Sequence, residues 1–130
     1  ADNCNINPVF PSSSPFVTAV GSTLASKEEG VAPRPGRTDG VGEAVVSVPN
    51  GCLWTTGGGF SDAPTNRMPK YQEQAVAAYL KSGVSFPASF NRTGRAYPDI
   101  ASLGRNYPIV MNNAVLHYGD GTSASTPVIA

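Results

Sequence analysis

The chain predicts an α/β fold, part of a parallel sheet flanked by helices. Three observations carry that expectation. A nearly continuous apolar run lies at 15–23, as in a strand buried on both faces. One clear amphipathic helix lies at 69–83. Short β-prone segments at 97–120 then lead into a second helix of small residues. Strand, helix, strands and helix in succession argue α/β.

Residues 1 to 15 are polar and Pro-punctuated and read as loop. In "PFVTAVGST" (15–23), Phe16, Val17, Thr18 and Val20 form the first strand, ended by Gly21. Residues 26–42 hold Pro33, Pro35 and four glycines and read as an exposed loop or insertion. "EAVVSV" (43–48) is the second strand, closed by Pro49-Asn50-Gly51. In "PKYQEQAVAAYLKSG" (69–83), Pro69 suits the first helical position. Tyr71, Ala75, Val76, Tyr79 and Leu80 share one apolar face. Glu73 near the start and Lys81 near the end suit the helix dipole, and Gly83 fits a left-handed cap. "YPDIASLG" (97–104), "YPIVMNN" (107–113) and "AVLHYGD" (114–120) are short strands, with Asn112-Asn113 suited to a hairpin turn. "TSASTPVIA" (122–130) starts a helix whose small side chains permit close approach to a sheet.

At 130 residues the chain is the size of one domain. Gly (14) and Pro (12) make a fifth of it, without a collagen-like period, so the protein is loop-rich and globular. Nine basic and nine acidic residues cancel, which gives no electrostatic footprint for nucleic acid or an anionic membrane. No stretch approaches the ~20 apolar residues of a membrane span. The chain begins at Ala1 without a signal-peptide pattern, so it is either processed or a piece of something longer. Cys4 and Cys52 lack metal spacing. They pair with each other, pair elsewhere, or stay free.

The chemistry concentrates at "GDGTSASTPVIA" (119–130). Gly119 and Gly121 permit a sharp turn before Ser123. A serine at a helix start has its hydroxyl clear of the sheet, and the first-turn N–H groups point at a developing oxyanion. The alternative is architectural: Thr122 or Ser123 caps the helix, and Thr122 to Pro127 forms one capped first turn. A nucleophilic serine also needs a base. His117 is the only histidine, and a triad of His117, Asp120 and Ser123 would crowd three roles into seven residues. His117 therefore reads as a structural or surface residue, and no Glu-x-x-x-Asp pair occurs. "TTGGGFSD" (55–62) is either a tight turn or a seat for a peptide backbone at Gly57 and Gly58; no Lys-Ser or Lys-Thr follows to make it a phosphate loop. Arg95 and Asp99 read as a structural ion pair or cap. Asn91-Arg92-Thr93 is a glycosylation sequon.

Five blocks in order, "FPSSSPFVTAVGST", "GGGFS", "YQEQAVAAYL", "FNRTGRAYPDIASLG" and "GTSASTP", run from Phe10 to Pro127. Together they resemble the sedolisin family of serine-carboxyl peptidases, in its tripeptidyl-peptidase branch. The resemblance implies a subtilisin-like domain of which residues 1–130 are an internal part. It makes Ser123 the nucleophile and places the glycine stretch near the substrate cleft. It puts a Glu base, its Asp partner and the oxyanion-hole Asp upstream of these blocks, and the ligands of a calcium ion downstream of Ala130. Asp2 does not match the oxyanion Asp, and no metal ligand is assigned within the chain. The implied partners are a peptide or protein substrate and the rest of the catalytic domain, with a lysosomal or secreted setting. The chain alone is expected to be inactive. Two rival readings are a subtilisin-type Asp/His/Ser peptidase, which Ala124 disfavours because Met usually follows the serine there, and a non-catalytic binding or structural relative.

Overall fold

A computed structural model of the chain describes residues 8–26, 42–86, 90–111 and 114–130. The elements run β1 (Val20–Ser26), β2 (Gly42–Val45), a 3₁₀ turn (Val48–Asn50), β3 (Gly59–Phe60), a second 3₁₀ turn (Lys70–Gln72) and α1 (Glu73–Leu80). They continue through β4 (Ala96–Tyr97), β5 (Ile100–Leu103), β6 (Tyr107–Met111), β7 (Ala114–Gly119) and α2 (Thr122–Ile129). Two compact units result. One draws on Ala1–Ala19 and Gly58–Asp99, the other on Val20–Gly57 and Ile100–Ala130.

The second unit is built on a three-stranded sheet in the order β2-β1-β5. β1 runs parallel to β5, from Val20 opposite Ile100 to Thr23 opposite Leu103. It runs antiparallel to β2, from Thr23 opposite Val45 to Ser26 opposite Gly42. The sheet is thus mixed: the expected parallel pairing is one strand pair wide. α2 packs on β1 and β5. Small side chains in β1 (VGSTLAS) make that approach possible, and Ser22 and Ser26 are buried there. Val46, just past β2, is wholly buried and joins the sheet through its N–H to the Ser22 carbonyl (3.1 Å). β6 and β7 pair antiparallel with an irregularity between Ile109 and Val110. The Asn112-Asn113 turn lies outside the described residues.

The first strand was expected from Phe16 onward; β1 begins only at Val20. Phe16 is exposed, and residues 15–17 form a turn and a bend. The reason is long-range. Arg95 Nη2 donates to the Val17 carbonyl, and Arg95 Nε to that of Ser14. The Ala19 N–H donates to Asp99 Oδ2 (2.8 Å), and the Ala19 carbonyl accepts from the Asp99 N–H (2.9 Å). Side chains and backbone about 80 residues away thus take the groups a strand ladder would use. Similarly, the second strand ends at Val45. Val48 instead opens the 3₁₀ turn, with Pro49 inside it and Gly51 closing it at φ +74°.

The helix expected over 69–83 is a 3₁₀ turn followed by α1. Pro69 precedes the 3₁₀ turn in an extended conformation instead of occupying the first helical position. Gly83 is left-handed at φ +83°, as the sequence required. Of the predicted apolar face only Val76 is buried, whereas Tyr71 and Tyr79 are exposed. Tyr71 turns its hydroxyl to Asp99 Oδ1 (3.1 Å). Tyr79 stacks edge-on against Phe86, which continues through Phe90 to Phe60 in an aromatic row. Such contacts add about 0.5–1.5 kcal/mol per pair beyond area burial. The row gives this unit an apolar anchor that helical periodicity did not reveal.

Arg95 and Asp99 organise the same unit. Arg95 is fully buried, its guanidinium donating to Ser14, Val17 and Ala96 carbonyls and pairing with Asp99 Oδ2 at 2.5 Å. Gln72 is buried beside them. Its amide exchanges hydrogen bonds with the Ala96 backbone and donates to Asp99 Oδ1 (2.7 Å). The pair is a structural ion pair, one of the two readings the sequence offered.

Candidate active site at the start of α2

Gly121 precedes α2 at φ +145°, ψ 162°, a conformation open to glycine and strained for other residues. Its N–H donates to the Gly104 carbonyl (2.8 Å), which ties the turn to the end of β5. Ala124 and Ser125 donate back to the Gly121 carbonyl, at 2.9 and 3.4 Å. The N–H groups of Thr122 and Ser123, earlier in the first turn, have no carbonyl one turn back to meet. They form a donor pair at the positive end of the helix dipole.

Ser123 is exposed, whereas Ser125 is fully buried. Residues two apart on a helix are turned by about 200°, so the two serines occupy opposite faces. The helix face packed on the sheet therefore dictates that Ser123 points away from it. No hydrogen-bond partner engages the Ser123 hydroxyl among the described residues. The capping alternative does not hold: Thr122 and Ser123 lie inside the helix, Gly121 is the cap residue, and no side chain caps the end. Nor does α2 stop at its first turn. Pro127 sits in its interior, and the helix runs to Ile129. Lacking an N–H, Pro127 leaves the Ser123 carbonyl without its usual donor four residues on.

The sheet side of α2 is a hydroxyl cluster that the sequence did not reveal. Ser125 Oγ lies 2.7 Å from Ser22 Oγ, 3.1 Å from the Leu103 carbonyl and 3.2 Å from that of Ser102. Ser102 Oγ donates to the Ser125 carbonyl (2.9 Å). Gly104 forms the floor: a Cβ there would collide with both Ser22 and Ser125. The small residues of "TSASTP" signalled close packing, but not which partner they would meet.

The other nominated residues are placed as follows. His117 lies on β7, opposite Ile109. Asp120 Oδ1 accepts the Asn106 N–H (2.7 Å), and Oδ2 faces Arg105 Nε at 3.9 Å. Asp120 thus braces the loop leaving β5. Arg105 Nη1 also donates to the buried thiol of Cys52 (3.2 Å). Cys4 and Asp2 fall outside the described residues, and the expected choice between Cys pairings falls there with Cys4. Gly57 is exposed with open space beside its Cα. At Gly58, in the first unit, a Cβ would meet the Tyr97 carbonyl at 3.2 Å and the Pro98 ring at 3.5 Å. Neither glycine adopts a positive φ, and neither lies in a turn. Asn91 is half-buried. Its Nδ2 donates to the Ser61 carbonyl (3.1 Å), and its Oδ1 accepts from the Thr93 N–H and hydroxyl. Among the described residues no three His, Cys, Asp or Glu side chains converge to hold a metal ion. No helix among them is long and apolar enough to cross a membrane.

No protein-family model matches the chain. Among known proteins it is similar to physarolisin of Physarum polycephalum, 40% identical over 137 aligned residues, covering 96% of this chain and 23% of physarolisin. It is 42% identical to tripeptidyl-peptidase 1 of Bos taurus over 123 residues, covering 93% of this chain and 19% of that protein. The human tripeptidyl-peptidase 1 shows 41% identity over the same share of each. The chain spans about a fifth of the length of these curated relatives. With that identity along nearly its whole length, and with the small-residue helix start that the five sequence blocks foretold, the chain belongs to the sedolisin family of peptidases.

Proposed function

We propose that residues 1–130 supply the nucleophile to a longer serine-carboxyl peptidase, of tripeptidyl-peptidase type, that works at acid pH. The observation that carries this reading is the exposed Ser123 at the N-terminus of a helix docked on a parallel strand pair. Ser123 Oγ attacks the scissile carbonyl carbon as its proton passes to a Glu carboxylate supplied from outside this stretch. The free first-turn N–H groups face the oxyanion that forms. Collapse breaks the C–N bond and the leaving amine takes the proton. Water then hydrolyses the acyl-serine, releasing the acid and restoring the hydroxyl. The exposed Gly57 and Gly58 each receive peptide backbone, as the family resemblance implies.

A Glu base (ordinary pKa about 4.3) in place of His (about 6.5) moves the working range to acid. A carboxylic acid that donates to the oxyanion must also be protonated, which acts in the same direction. This chemistry suits a lysosomal or extracellular compartment. A glycan on Asn91 belongs to that setting, and mass spectrometry before and after deglycosylation checks it by a loss of mass on the Asn91 peptide.

The test of the peptidase reading is kcat/KM for the longer protein on a tripeptidyl substrate from pH 3 to 8. The expected result is a maximum below about pH 5, with no turnover by residues 1–130 alone. A maximum near neutral pH favours a His base and overturns the reading, as does turnover by 1–130.

A further inference from the structure

The hydroxyl cluster beneath α2 places more polar chemistry in the interior than packing requires. Ser22 and Ser125 are 1% and 0% exposed. A buried hydroxyl costs free energy unless it is bonded, so here the bonds must be made. Ser125 has one hydroxyl proton and three neighbours in reach: Ser22 Oγ and the carbonyls of Ser102 and Leu103. Carbonyls only accept. With the Ser125 proton directed to a β5 carbonyl, the Ser22 hydroxyl becomes the donor to Ser125 Oγ. The Ser102 hydroxyl returns a bond to the Ser125 carbonyl.

Two residues before Ser123, the Gly121 N–H binds the Gly104 carbonyl. Two residues after it, Ser125 binds residues 102 and 103. The exposed serine is thus bracketed by anchors to one short stretch, 102–104, with Gly104 bare so that both hydroxyls fit. Apolar packing alone lets a helix slide or rotate by fractions of an ångström. Directional bonds on both sides of position 123 remove that freedom. We propose that Ser125, acting through Ser22 and the β5 carbonyls, is a positioning residue that fixes the rotation and depth of α2 and so aims the Ser123 hydroxyl. This rests on Ser123 as nucleophile.

The experiment measures kcat, KM and the unfolding midpoint of the longer peptidase at acid pH. The variants are Ser125→Ala, Ser22→Ala, the double variant, and Ser123→Ala as reference. Displacements of about 1 Å cost roughly a hundredfold in rate, so a partial loss of aim predicts a tenfold or greater fall in kcat for Ser125→Ala, with KM unchanged. Ser22→Ala lowers kcat less. The double variant is no worse than Ser125→Ala, because both residues act through one chain of bonds. Wild-type kcat in both single variants, with Ser123→Ala inactive, overturns the positioning role and leaves the nucleophile intact. Retained turnover in Ser123→Ala removes the nucleophile and the positioning role together. If Ser125→Ala does not fold, Ser22→Ala decides, since it leaves α2 unaltered. Loss of folding in both also overturns the proposal, because the cluster then holds the fold and not the aim.

Discussion

Ser123→Ala in the longer protein is expected to abolish turnover, with a fall in kcat on the order of 10⁴–10⁶ and little change in KM or stability. Each part of that expectation has a cause in the site. The side chain is exposed and engages no hydrogen-bond partner among the described residues, so removing its oxygen orphans nothing in the fold. Alanine is the best helix former, so α2 keeps its path. The Thr122 and Ser123 N–H groups remain, because they belong to the backbone. Binding therefore survives and bond breaking does not. The measurement is steady-state kinetics alongside thermal unfolding of the same preparation. A variant that retains more than about a tenth of wild-type kcat excludes Ser123 as nucleophile. A fall in kcat accompanied by an equal fall in folded protein would make the residue architectural.

The largest expected effect on stability lies elsewhere. Asp99→Asn is expected to destabilise the protein by about 3–5 kcal/mol near pH 6, because it leaves the buried Arg95 guanidinium without its counter-charge. The effect is also pH-dependent. Burial pushes the Asp99 carboxyl up, but the Ala19 N–H, the Arg95 guanidinium and the Gln72 amide together outweigh it and hold the pKa below its ordinary value. A carboxyl with a depressed folded pKa contributes stability that is present above the unfolded value of about 3.9. That contribution is lost as pH falls through the folded pKa. Denaturant unfolding should therefore show the wild-type advantage over Asp99→Asn intact at pH 5 and 6 and narrowing below about pH 4. A gap independent of pH would mean that shape, and not charge, accounts for the loss. The ordering matters for a protein proposed to work in acid. Carboxylates with ordinary pKa values begin to protonate near pH 4–5, while this one remains charged.

Much of this was legible from local chemistry. The left-handed Gly83, the strands within 97–120 and the helix after Gly121 follow from backbone preferences that act within a few residues. So does the exposure of Ser123 once the small face of α2 is set against a sheet. What escaped depends on partners distant in sequence. Phe16 to Ala19 have the composition of a strand, yet Arg95 and Asp99 claim their backbone groups. Tyr71 and Tyr79 have helical spacing, yet one serves a carboxylate and the other an aromatic row. Ser125 looked like one small residue among several, and only its encounter with Ser22, 103 positions earlier, sets it apart. The base is a different case: no pattern within these residues supplies it, and only the family resemblance says where to look.

The bond between Ala19 and Asp99 closes a loop of 80 residues. Neither compact unit is therefore a continuous stretch of polypeptide; each is assembled from two pieces that interleave along the chain. A ribosome adding about 5–20 residues per second would expose the early piece for roughly 4–16 s before its mate emerges. During that interval Phe16 and its neighbours wait without a destination. No single cut of the sequence releases either unit whole.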